Sequence, residues 1–68
     1  MALLIVTDVN GKKHEYPDVD NDWLADALEK LKQQSGDGAV LRYVYPDGTR
    51  RETVIAYGMV KVVDHTFD

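Results

Sequence analysis

The chain predicts an α+β domain ordered β-β-α-β-β-β, a mostly antiparallel sheet with one amphipathic helix packed on one face. Three observations predict it. Asn10-Gly11 and Pro46-Asp47-Gly48 are hairpin turn signals, each standing between runs rich in strand-forming residues. Between the hairpins, Leu24, Ala27, Leu28 and Leu31 recur at the i, i+3, i+4, i+7 spacing of a helix with a single apolar stripe. A length of 68 residues leaves room for one domain, 1-68, at a size where folding buries little more than half of the unfolded surface.

The first hairpin joins the apolar run Leu3 to Val9 with Lys12 to Tyr16. A two-residue type I′ turn at Asn10-Gly11 would pair Ile5 with Tyr16, Val6 with Glu15, Thr7 with His14 and Asp8 with Lys13. That register sets Leu3, Ile5, Val9, His14 and Tyr16 on one face and Leu4, Val6, Asp8, Lys13 and Glu15 on the other. Pro17 is expected to end the strand. The helix then begins at Asp20 as N-cap, with Val19 and Leu24 as a hydrophobic staple, and runs about four turns to a stop at Ser35-Gly36. Gly36-Asp37-Gly38 reads as a flexible linker.

Residues 39 to 45 form the next strand, and Pro46-Asp47-Gly48 fits a type I turn with glycine in the left-handed bulge position. The resulting register pairs Val40 with Val54, Leu41 with Thr53, Arg42 with Glu52 and Tyr43 with Arg51. Tyr57-Gly58 then turns into a last strand, Met59 to Phe67, expected to pair Ile55 with Val60 and Arg51 with Asp64. The helix would cover Leu3, Ile5, Tyr16, Leu41, Tyr43, Ile55, Val60 and Val62. The opposite face would carry Leu4, Val6, Val40, Val44, Val54 and Val63 among charged residues. Six aliphatics are too many for a fully solvated face on so small a domain, so this face is expected to be partly covered, by a dimer mate, a partner or strong sheet curvature, with the six residues as the oligomer face of a homodimer.

Composition narrows the function classes. Cysteine is absent, which removes disulfides and thiolate metal sites and agrees with a cytoplasmic location. The apolar N-terminal run stops at Thr7-Asp8, too short for a signal peptide or a membrane span. Net charge is -4, and the acidity is concentrated in residues 1 to 38, where eight acids meet four lysines. Nonspecific duplex binding is therefore disfavoured, and an acidic surface that meets a basic protein is favoured.

Asp18, Asp20, Asp22, Asp26 and Glu29 stand at positions 1, 3, 5, 9 and 12 of a twelve-residue window, the ligand spacing of a calcium loop. Position 6, where such a loop needs glycine, is Trp23. The leucine stripe has already begun there, so Asp22, Asp26 and Glu29 project as a row from the helix rather than encircling an ion. Weak calcium binding is an alternative; no metal or cofactor site is expected. Trp23 falls at the edge of the apolar stripe, either a lid over the core or an anchor for a partner beside those acids. His14 and His65 are expected on opposite sheet faces, which precludes a shared metal site or catalytic pair. Ser35, the only serine, sits at the helix stop without a base, so enzymatic activity is not expected.

Tyr43, Tyr45, Arg42, Arg50 and Arg51 around the second hairpin supply an alternative, a small platform for single-stranded nucleic acid. Against it, Tyr43 shares a face with core positions and the arginines have acids opposite or nearby. The leading expectation is a non-enzymatic, homodimeric protein-interaction module whose acidic helix face, Asp22, Asp26 and Glu29 with Trp23, meets a basic partner that handles nucleic acid. In size and charge the chain is similar to small accessory and inhibitor proteins of bacteria and phages.

Overall fold

The computed structural model describes residues 1–33 and 38–68. Its elements are β1 (Ala2–Asp8), β2 (Lys13–Val19), α1 (Asn21–Lys32), β3 (Ala39–Val44), β4 (Arg50–Ile55) and β5 (Val60–Thr66). The expected α+β class and element order hold. The strands form two antiparallel sheets rather than one, a three-stranded sheet in the order β2-β1-β5 and a β3-β4 hairpin.

Both hairpin loops have the same construction. Gly11 N–H donates to the Asp8 carbonyl at 2.9 Å and Asp8 N–H to the Lys12 carbonyl at 3.0 Å, while Gly48 N–H and Tyr45 N–H make the equivalent bonds to Tyr45 and Thr49. Gly11 and Gly48 both take positive φ, 85° and 90°, the left-handed bulge position of a three-residue loop. For β3-β4 this is the expected turn, and its register follows, including Arg42 opposite Glu52. For β1-β2 it replaces the expected type I′ turn, because the Asp8 carboxylate accepts from Asn10 N–H and Lys12 N–H and draws Val9 into the loop.

One extra loop residue shifts the register by one. Leu4 pairs with Tyr16, Ile5 with Glu15, Val6 with His14 and Thr7 with Lys13. Every side chain of β1 is therefore on the face opposite to the one expected. Leu4 and Val6, expected on an oligomer face, are 0% exposed and lie in the chain's own core with Ala2, Tyr16, Val19, Leu24, Ala27, Leu41 and Ile55. Leu3 and Ile5 take the outer face, half-buried, and Val9 is exposed.

Pro17 does not end β2. Pro17 and Asp18 together oppose Leu3 in a bulge, with Asp18 at φ 55°, a conformation that aspartate tolerates better than most residues. The bulge restores Val19 to the buried face opposite Ala2. Val19 then meets the core beside Leu24, as the staple requires. Asp20 occupies the N-cap position, but its side chain makes no capping bond. The helix ends at Lys32 with Gln33 as C-cap, and the expected Ser35-Gly36 stop lies outside the described residues.

β5 departs furthest from expectation. Met59 N–H bonds the Ala56 carbonyl across Tyr57-Gly58, with Gly58 at φ 81°, and the chain then crosses back to pair with β1 instead of β4. The cause is readable in β1 itself: Ala2 to Val6 is continuously apolar, the pattern of a central strand paired on both sides. Val63 lies opposite Val6 on the helix side, whereas Val62 lies opposite Thr7 on the outer face.

Side chains tie the sheets together. The buried Tyr16 hydroxyl donates to the Leu41 carbonyl at 3.3 Å and shares a 2.7 Å bond with Thr53 Oγ1. Of the expected linker Gly36-Asp37-Gly38, only Gly38 lies within the described residues, and it is closely packed. At φ +84°, a Cβ there would overlap the Ile55 carbonyl oxygen and stand 2.8 Å from Tyr57 N, so the start of β3 packs on the end of β4 only as glycine.

Candidate functional site

The helix presents the expected acidic row. Asp22, Asp26 and Glu29 are all exposed, but Asp26 is paired with Lys30 at 3.2 Å and Glu29 accepts from Gln33 Nε2 at 2.9 Å. One carboxylate of the row is thus ion-paired and a second hydrogen-bonded along the helix itself. Among the described residues, no three His, Asp or Glu side chains converge as a metal site.

Trp23 is built into the molecule as a lid and is not displayed as an anchor beside the acids. Its indole N–H donates to the Arg42 carbonyl at 2.8 Å, and its ring stands 5.1 Å from both Tyr16 and Tyr43. Tyr45 continues the row at 4.7 Å from Tyr43, and its hydroxyl donates to the Pro17 carbonyl. Burial raises the Tyr16, Tyr43 and Tyr45 hydroxyls above their ordinary value of 10.0, with the Asp20 carboxylate adding to the effect at Tyr43. The two tyrosines of the alternative nucleic-acid platform are thus half-buried, with their rings packed in this row, while its three arginines are exposed. Of its arginines, Arg42 pairs with Glu52 at 2.7 Å and Arg51 reaches the Glu15 carbonyl, while Arg50 stays exposed.

His14 and His65 lie on the same, helix-facing side of the sheet, a correction that follows from the shifted register and the new place of β5. They are not joined. His14 donates from Nε2 to Asp8 Oδ2 at 3.1 Å, and His65 packs edge-on to Phe67 with centroids 5.7 Å apart. The His14 bond is the main cause holding the Asp8 carboxyl below its ordinary value, helped by the Lys12 and Asn10 amides. The I′ register concealed this pair by placing Asp8 and His14 on opposite faces.

Of the six residues expected on an oligomer face, Val40, Val44 and Val54 do face solvent, at 49%, 56% and 68% exposure on the outer side of β3-β4. Val63 instead lines an apolar groove of about 300 Å³ between α1 and β5, with Leu28, Leu31, Lys32 and His65. That groove runs beside a free strand edge. Because Asp8 and Lys12 form a bonded pair, alternation directs the backbone groups of Leu4 and Val6 to β2 and those of Leu3, Ile5 and Thr7 to β5. Val62, Asp64 and Thr66 answer them, which leaves the N–H and C=O of Val63 and His65 pointing outward.

Two of the other sheet edges, β2 and β3, are partly obstructed by side chains. β2 contains Pro17, and its outward carbonyls at Glu15 and Pro17 accept from Arg51 and Tyr45. β3 has its Arg42 carbonyl covered by Trp23. β5 combines outward backbone groups that carry no side-chain bond among the described residues with the adjoining apolar groove of Leu28, Leu31 and Val63. No described helix is long and apolar enough to cross a membrane. Comparison with known protein families, with characterised proteins and with solved structures finds no match to this chain.

Proposed function

We propose that the protein is a non-enzymatic interaction module that pairs with a second copy of itself along β5. The observation that carries this reading is the open β5 edge beside the groove of Leu28, Leu31 and Val63. Strand addition supplies backbone bonds to the outward groups of Val63 and His65, and side chains of the incoming strand fill the groove. Self-pairing suits the sequence of the strand. In the two-fold register centred on Val63, Val63 meets its own copy and Asp64 meets Val62 of the second copy, so no acid faces an acid. The register centred on Asp64 would set two carboxylates together, which selects against it. A chain this small also gains burial by association.

Sedimentation velocity tests the reading. Wild-type protein is expected to move from monomer to dimer across the micromolar to millimolar range, and His65→Pro, which deletes an outward N–H and leaves the β1 ladder intact, is expected to remain monomeric. A monomer at high concentration, or a dimer unaffected by His65→Pro, contradicts it.

A further inference from the structure

Between β2 and β4 the two sheets face each other across an open cleft of about 320 Å³. Lys13, His14, Glu15, Arg50, Arg51 and Glu52 line it over a floor that includes Tyr16 and Thr53. The two strands share no ladder bond, and what crosses the cleft is side chain: Arg51 Nη1 to the Glu15 carbonyl at 3.1 Å, and the Tyr16 hydroxyl to Thr53.

Both walls are strand edges. The Tyr45–Thr49 bond that closes the second hairpin makes Tyr43–Arg51 and Leu41–Thr53 bonded pairs, so the backbone groups of Arg50 and Glu52 point away from β3 toward β2. By the same alternation, counted from the Asp8–Lys12 bond, Lys13 and Glu15 direct theirs away from β1 toward β4. The Arg51 side chain reaches across from β4 to the Glu15 carbonyl of β2. The two edges are not ladder-paired, and the open cleft lies between their outward backbone groups.

The charge of the cleft runs against that of the whole chain. Three cations, Lys13, Arg50 and Arg51, line the cleft against Glu15 and Glu52, of which Glu52 is already paired with Arg42, in a protein of net charge -4. Arg51 spends its guanidinium on a neutral carbonyl, and a carboxylate in the cleft would offer it a shorter, charge-assisted bond. We propose that this cleft binds an extended acidic peptide segment of another protein, inserted as a strand between β2 and β4. Backbone bonds to Lys13, Glu15, Arg50 and Glu52 hold the segment, and its carboxylates meet Lys13, Arg50 and Arg51. The site is separate from the β5 edge and stands whether or not the chain dimerises there.

An NMR titration with a capped hexapeptide of alternating valine and glutamate tests it, against the same peptide with glutamine. The glutamate peptide is expected to shift the amides of Lys13, Glu15, Arg50 and Glu52, to bind at least about tenfold more tightly than the glutamine peptide, and to weaken with added salt. Arg50→Gln, at an exposed residue with no bonded partner among those described, is expected to weaken binding several-fold with the rest of the spectrum unchanged. Arg51→Gln should weaken it further if that variant folds. Absence of shifts at millimolar peptide, equal binding of the two peptides, or shifts confined to β5 would overturn the proposal.

Discussion

Leu3 and Leu4 are adjacent, identical in composition and opposite in consequence. Leu4 is 0% exposed in the core, whereas Leu3 lies half-buried on the outer face of β1. Leu4→Ala should cost about 2–5 kcal/mol by urea denaturation, and Leu3→Ala no more than about 1 kcal/mol. Reversal of that order would return the register to a type I′ turn. Gly38 supplies a second test at the same scale. Its positive φ and its contact with the Ile55 carbonyl leave no room for a methyl group, so Gly38→Ala should destabilise by about 2 kcal/mol or more. A free linker would tolerate that change or gain from it.

At the level of elements, the first hairpin shows how one carboxylate decides a face. Asp8 accepts from two loop amides and from His14, which holds its carboxyl below the ordinary 3.8. A depressed folded value means that the stabilisation is complete above about pH 4 and is lost as pH falls through the folded value. Asp8→Asn should therefore flatten the acid limb of the melting-temperature profile below about pH 4 and lower the melting point at neutral pH. Identical acid limbs would remove Asp8 from the loop's support. Element types and the second hairpin's register were legible in the sequence, because alternation, the helical stripe and Pro46-Asp47-Gly48 each specify local geometry. The first register was not. Asn10-Gly11 suits either loop length, and the choice rests on where the Asp8 side chain bonds, a detail that alternation does not encode. The partner of β5 was equally hidden, since it depends on a contact across most of the chain, although the unbroken apolar run of β1 pointed to a strand with neighbours on both sides. Those two shifts account for the displaced site residues: Leu4 and Val6 passed to the core, and Val63 to the groove.

Across the whole molecule, the sheet edges differ more than the faces do. Proline, tyrosine, arginine and tryptophan obstruct β2 and β3, while β5 ends the larger sheet with outward backbone groups and an apolar groove beside it. The acidic helix row, expected to be the main docking surface, is partly neutralised by Lys30 and occupied by Gln33. The proposed association is therefore placed on the strand edge and not on the helix row. The most direct test is amide hydrogen exchange at Val63 and His65, measured at low and at high protein concentration. Val62 and Asp64, which bond β1, should be protected at both concentrations, whereas Val63 and His65 should exchange freely when dilute and become protected when concentrated. If Val63 and His65 exchange equally fast at both concentrations while the protein associates, the pairing surface is elsewhere and β5 is not the docking strand.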